Sequence, residues 1–185
     1  MDAERGRLVV LDRDGVINED SDAYIKSVAE WRPIPGSLEA IAALTRAGYS
    51  VAVVTNQSGV GRGLLSEDTL AAIHEHMLSR VRAVGGEVAG IFYCPHTPEA
   101  GCDCRKPKPG LFKALERKLG VSVRGVAYVG DKPSDVEAAR AAGARPILVR
   151  TGRGALAAEA GIPAGVPVFD DLLNAAHAII AEAVE

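Results

Sequence analysis

Short apolar runs recur along this chain with room for one helix between neighbours: Leu8 to Leu11, Val51 to Val54, Ile91 to Tyr93, Val126 to Val129 and Pro146 to Val149. They are apolar throughout instead of alternating with polar residues, so each reads as a strand covered on both faces. Helical patterns lie between them, over Ser37 to Ala47, Ser66 to Val84, Gly110 to Leu119 and Asp135 to Ala142. Each stops at a glycine, the residue that best accepts a left-handed turn past a helix end, and Ser66 and Asp135 stand where an N-cap is wanted. This alternation predicts an α/β fold with a doubly wound, mainly parallel sheet. A last amphipathic helix, about Asp171 to Val184, is expected on the edge of the sheet, and Thr151 to Pro167, rich in Gly, Ala and Pro, reads as a surface loop. With 185 residues and neither repeat nor linker, one domain over 1–185 is expected.

Composition narrows the partners. The formal net charge is −3 and no basic block interleaves with aromatics, which leaves no footprint for nucleic acid. The stretch Met1 to Arg7 is charged and lacks the apolar core of a signal peptide, and no run approaches the roughly 18 apolar residues that span a bilayer. A soluble cytoplasmic monomer acting on a small molecule is the expectation.

The strand ends carry the chemistry. Asp12, Thr55 and Asp131 each follow an apolar run, at the carboxyl ends where open α/β sheets bind ligands. Asp12 and Asp14 flank Arg13, so an extended strand points both carboxylates one way, and Gly15 then permits a sharp turn. Two such carboxylates can share a hard cation, and Asp131 supplies a third oxygen ligand suited to Mg²⁺. Asn56 to Gly63, with Gln57, Ser58 and three glycines, can offer amides and a hydroxyl to an oxyanion. Asp135 reads either as a helix cap or as a partner behind the ligands. Lys132 reads either as a bond to the loop carboxylates or as a solvated lysine.

Cys94, His96, Cys102 and Cys104 fall within eleven residues, and the chain has no other cysteine. An odd number of thiols cannot all pair, and four N and S ligands suit a closed tetrahedral zinc site with no open position for catalysis. The segment of about 94–110 holds Pro95, Pro98, Pro107 and Pro109 but little apolar content, so the metal is expected to fix the loop that presents Arg105 and Lys106. His74, His76 and His177 lie in helical stretches without partners at ligand spacing and read as ordinary helix residues.

Taken in order, Asp12-Arg13-Asp14-Gly15, Thr55, Lys106 and Gly130-Asp131 resemble the haloacid dehalogenase phosphatase superfamily over about Leu8 to Val149. The resemblance implies that Asp12 is the nucleophile and Asp14 the general acid and base. It implies too that Thr55 and Lys106 hold the transferring phosphoryl, and that Asp12, Asp14 and Asp131 bind Mg²⁺. For Asp14 to protonate an alkoxide and later activate water, its surroundings are expected to raise its pKa. Gly15 to Val54 and Asn56 to Arg105 are too short to hold a cap domain, so loops select the substrate: Asn18 to Pro35 with Asp20 and Tyr24, Gln57 to Leu65, and the zinc loop with Arg105.

The Cys-x-His and Cys-x-Cys-Arg-Lys-Pro pattern is similar to a capless, zinc-bearing branch acting on heptose bisphosphate or histidinol phosphate. Residues 14–18, 55–63, 106–110 and 130–132 follow the heptose group, which implies hydrolysis at C7 of heptose 1,7-bisphosphate, a small phosphorylated sugar. The five-residue spacing between His96 and Cys102 is similar to that of the histidinol enzymes and keeps that substrate as the alternative. A signalling phosphoacceptor domain is the reading from another class. Asp14 argues against it, because a signalling aspartate needs no acid to expel an alkoxide. A catalytically inactive zinc-bearing binding module is the remaining alternative, and intact Asp12, Asp14, Lys106 and Asp131 argue against that.

Overall fold

The apolar runs form strands β1 (Leu8–Leu11), β2 (Ser50–Asn56), β3 (Gly90–Cys94), β4 (Ala127–Gly130) and β5 (Arg145–Val149), joined at the edge by a two-residue β6 (Val168–Phe169). All pair in parallel, in the order β3-β2-β1-β4-β5-β6. The structure, a computed structural model, describes residues 7–184; Met1 to Gly6 of the charged N-terminal stretch lie outside the described residues. The helices are α1 (Ser37–Arg46), α2 (Ser58–Gly61), α3 (Glu67–Ala83), α4 (Gly110–Leu119), α5 (Pro133–Ala142), α6 (Gly154–Ala160) and α7 (Leu172–Glu182).

Successive strand residues alternate between two buried faces. Val9, Leu11, Val51, Val53 and Val129 meet Leu44, Ile73, Met77 and Ile179 of α1, α3 and α7. Leu8, Val10, Ala52, Val54 and Tyr128 meet Leu111, Phe112, Leu115 and Ala138 of α4 and α5. Burial on both faces is why these strands need no polar alternation. The chain winds outward from β1 to β3 and then returns to lay β4 on the other side of β1. Connections therefore leave β1 and β4 in opposite directions, and the crevice between them opens at their carboxyl ends, beside Asp12 and Asp131.

Three expectations are corrected. The last helix, α7, lies on a face of the sheet against α1, not on its edge, because Leu172, Ala175, Ala176 and Ile179 complete the apolar layer there. Thr151 to Pro167 is not all loop: Gly154 to Ala160 forms α6, whose alanines favour helix once the flanking glycines have turned the chain. Asp135 is not the N-cap of α5. That helix starts at Pro133, a residue suited to the first helical position, and Asp135 in its first turn accepts from the amides of Asp131 (3.0 Å) and Lys132 (3.1 Å). Ser66 does cap α3, accepting from the Thr69 amide at 3.0 Å.

Candidate active site

Lys106 is the hub of the crevice. Its ammonium, buried at the end of the zinc-loop segment, donates to Asp135 Oδ1 (2.7 Å), Tyr128 OH (2.8 Å) and Val54 O (3.1 Å), and lies 3.1 Å from Asp12 Oδ1. Its backbone is pinned to β2 by a reciprocal pair with the Asn56 side chain, at 3.0 and 3.2 Å. Asn56 thus spends its amide on positioning Lys106. Burial would lower the pKa of the ammonium, but Asp12 and Asp135 outweigh it and keep the cation charged.

Asp12, Asp131 and Asp135 place one carboxylate oxygen each within 4.8 Å of one another, all three buried. Asp135 already accepts two bonds on each oxygen, from Lys106 and Tyr128 on one and from the two amides on the other, whereas Asp131 accepts one on each. Asp12 and Asp131 therefore remain as the ligands with capacity to spare. Asp131 sits against backbone that only glycine allows: a Cβ on Gly15 (φ 84°) would stand 2.1 Å from its Oδ2, and one on Gly152 2.3 Å away. Burial and the neighbouring Asp135 push Asp12 up to about 8, and burial pushes Asp131 up to about 6 despite Lys132. Burial would raise Asp135 too, but Lys106 and Lys132 hold it down at about 2. Negative charge exceeds what the lysines cancel, and the donors are all oxygen, so the cluster fits a hard divalent cation.

The Asp14 carboxylate is not in that cluster. The chain turns back at once, with the amides of Val16, Ile17 and Asn18 all bonded to Arg13 O, and Asp14 has partners of its own. Asp14 Oδ1 instead receives Arg13 Nε (2.8 Å) and Asn18 Nδ2 (2.9 Å), and Oδ2 receives Gln57 Nε2 (3.0 Å), which also reaches Thr55 Oγ1 (3.0 Å). The pKa of Asp14 is lowered, the reverse of the expectation. Burial raises it, but the Arg13 charge and the hydrogen bonds from Asn18, Arg13 and Gln57 prevail. In the free site Asp14 is an anion, so to act as an acid it would have to take up a proton as substrate binds.

A cleft of about 480 Å³ gathers Asp12, Asp14, Asp20, Tyr24, Thr55, Asn56, Gln57, Ser58, Arg105, Lys106 and Lys132, so every predicted substrate residue meets there. Tyr24 is the one non-glycine residue of positive φ (65°) among the described residues, and Arg62 lies over its ring, 5.8 Å from the centroid. Lys132 bonds Asp131 Oδ1 (3.0 Å) and approaches Asp20 Oδ2 (3.7 Å), so it is no solvated lysine. Sequence reasoning missed Arg153 in the lining and held Arg62 only within the loop Gln57 to Leu65. Arg153 bonds Asp20 (3.3 Å) and Asp22, and its amide bonds Asp131 Oδ2 (3.0 Å). Its position in a presumed surface loop gave no signal.

Beside the cleft, Cys94, His96, Cys102 and Cys104 converge, with Sγ to Sγ separations of 3.0 and 3.6 Å and His96 Nδ1 at 3.3 Å from Cys104 Sγ. Roughly 3.8 Å separates two thiolates that share a tetrahedral zinc at about 2.3 Å, so the cluster fits that ion. No disulfide forms among them.

A parallel sheet with an aspartate past β1, a threonine past β2, a lysine reaching back to the first aspartate and another aspartate past β4 defines a haloacid dehalogenase-type phosphatase core. A family model for HAD-hydrolase-like proteins matches residues 103–175. The chain is 53% identical over 174 residues to the D-glycero-β-D-manno-heptose-1,7-bisphosphate 7-phosphatase of Pseudomonas putida, covering 94% of this chain and 99% of that protein. The protein of the same name from Bordetella bronchiseptica is 48% identical, over 96% and 99%. The solved D,D-heptose 1,7-bisphosphate phosphatase of B. bronchiseptica, complexed with magnesium and phosphate, superposes with a TM-score of 0.92 at 47% identity, over 95% of this chain and 99% of that one. The chain belongs to this heptose bisphosphate phosphatase family of haloacid dehalogenase-like hydrolases.

Proposed function

We propose that this enzyme removes the C7 phosphate of D-glycero-β-D-manno-heptose 1,7-bisphosphate through an aspartyl phosphate. The relatives' shared name supports the substrate, and the Lys106, Asp12 and Asp131 centre supports the chemistry. An Asp12 carboxylate oxygen attacks phosphorus as the bond to the C7 oxygen breaks, and Asp14 gives that oxygen its proton. Asp14 then takes a proton from water, whose oxygen attacks the same phosphorus, releasing inorganic phosphate and restoring Asp12. Lys106 and Thr55 hold the phosphoryl in line. Asp12, Asp14 and Asp131 would hold magnesium, Asp12 and Asp131 through their carboxylates, and the ion would supply positive charge that offsets repulsion between carboxylate and phosphate. The product feeds nucleotide-activated heptose for lipopolysaccharide, in the cytoplasm. No helix among the described residues is long and apolar enough to cross a membrane.

The observation that carries the substrate reading is charge left over in the cleft. Arg62 and Arg105 line it without a carboxylate partner within salt-bridge reach among the described residues. Asp20 and Asp22, which an amine such as histidinol phosphate would need, are already paired with Arg153. A second phosphate is what two such arginines suit. Replacing Arg105 with Ala should lower kcat/KM for the heptose bisphosphate by about 1.5–3 kcal/mol, roughly 10- to 150-fold, while an aryl phosphate reacts nearly as before. Preference of the wild-type enzyme for histidinol phosphate, or equal slowing of both substrates in the variant, would defeat the assignment.

The Cys/His cluster is proposed to bind structural zinc and to fix the loop that ends in Arg105 and Lys106. Cys102→Ser should lower the melting temperature and raise KM while chemistry at Asp12 persists, and chelators should strip Mg²⁺ long before zinc. Protein purified without chelators and found free of zinc by elemental analysis would end this reading.

A further inference from the structure

Arg13 is the largest fully buried side chain, with 0% exposure, in a position that sequence reasoning treats as a spacer between two aspartates. A buried guanidinium costs several kcal/mol unless well paired. Its one carboxylate partner is Asp14: Nε bonds Oδ1 at 2.8 Å and Nη2 lies 2.8 Å from the same oxygen. On the other edge Nη1 lies 3.0 Å from Nε2 of His74, which reaches in from α3, 61 residues along the chain. Arginine only donates, so His74 Nε2 must carry a lone pair and its proton must sit on Nδ1. Burial, with the Arg13 charge, holds His74 down at about 3, so it stays an acceptor at any working pH. Its ring is enclosed, 7% exposed, with Tyr93 tilted against it at 5.9 Å.

We propose that His74 is a positioning residue for Asp14: by accepting from Nη1 it fixes the Arg13 guanidinium, whose opposite edge grips Asp14 Oδ1 and leaves Oδ2, on the Gln57 and Thr55 side, to move the proton. The inference rests on the reading of Asp14 as acid and base. A two-χ carboxylate held on one oxygen by a rigid fork loses rotamer freedom before substrate arrives, and the fork is rigid only if its far edge is also held.

The test compares two substitutions with opposite merits. His74→Leu keeps bulk but has no acceptor; His74→Gln packs less like a ring but offers a carbonyl oxygen to Nη1. With heptose bisphosphate and saturating Mg²⁺, Leu should lower kcat about 10- to 100-fold with KM within about twofold, the range of a misplaced proton-transfer group, and Gln should recover most of it. A role in packing alone predicts Leu to be at least as active as Gln, which would overturn the proposal. In an Asp14→Asn background the Leu substitution should cost under about twofold more, since Arg13 then has no proton-transfer group to place; a full additive loss would also overturn it. If Leu fails to fold, the nitrogen chemical shifts of His74 in the wild-type protein still decide, because a protonated Nε2 would rule out acceptance from Arg13. Near-normal activity of Asp14→Asn alone would instead sink the acid-base reading itself.

Discussion

Asp12→Asn is expected to abolish turnover by at least roughly 10⁴-fold, the scale on which removal of a nucleophile acts in covalent enzymes, while leaving the fold as stable as before. The rate follows because an amide oxygen neither attacks phosphorus readily nor serves as a charged Mg²⁺ ligand. The stability follows from the buried charges. Asp12 is pushed up to about 8 by burial and by Asp135, so its charge is a liability in the metal-free fold, and an isosteric neutral amide removes it. Lys106 keeps its 2.7 Å bond to Asp135. Without Mg²⁺ the variant should therefore melt at or above the wild-type temperature, whereas with Mg²⁺ the wild type should gain more. Residual turnover within about tenfold of wild type in a folded variant would rule out the covalent route.

How far the chain could be read in advance depended on whether a residue's partner was near it in sequence. Strands β1, β2 and β4 were legible because double-sided burial leaves an unbroken apolar run, and α4 because Gly110 and Gly120 bracket it. The acidic strand ends and the Cys/His cluster were legible because topology and ligand spacing are local statements. Arg13 was not: nothing near it foretells a partner on α3, and only the turn after Asp12 swings the guanidinium inward. The same turn explains the misjudged pKa of Asp14, since an expectation drawn from its duty ignored the cation beside it. For Asp135 the sequence left open a helix cap or a partner behind the ligands, and its partners, Lys106, 29 residues earlier, and Tyr128, could not be named from local signals. In α6 and β6 the local signal was weak by nature, an alanine helix one side deep and a two-residue edge strand.

Lys106→Met should cost both activity and fold, and the second loss should depend on pH in a stated direction. Turnover should fall by roughly 10³-fold or more, since the cation that holds Asp12 and meets the phosphoryl is gone. Removing one partner from a buried ion pair costs about 3–5 kcal/mol, because the charges left behind are neither hydrated nor paired. Here the charge left behind is Asp135, since Asp12, pushed up to about 8, is mainly protonated below that pH in the metal-free fold. In the wild type Asp135 is held at about 2, below its unfolded value, so its contribution is present above about pH 4 and is lost as pH falls through 2. Without Lys106 burial dominates, its folded pKa rises above the unfolded one, and its contribution becomes a penalty that grows as pH climbs. Asp12, already raised to about 8, widens the gap only above that pH. The melting temperatures of wild type and variant should then lie closest together near pH 2 and separate as pH rises, by roughly 10 °C at pH 7.5. An equal gap at both pH values would mean that Lys106 stabilises the fold by packing against Tyr128, 5.5 Å from its ring centre, and not by charge.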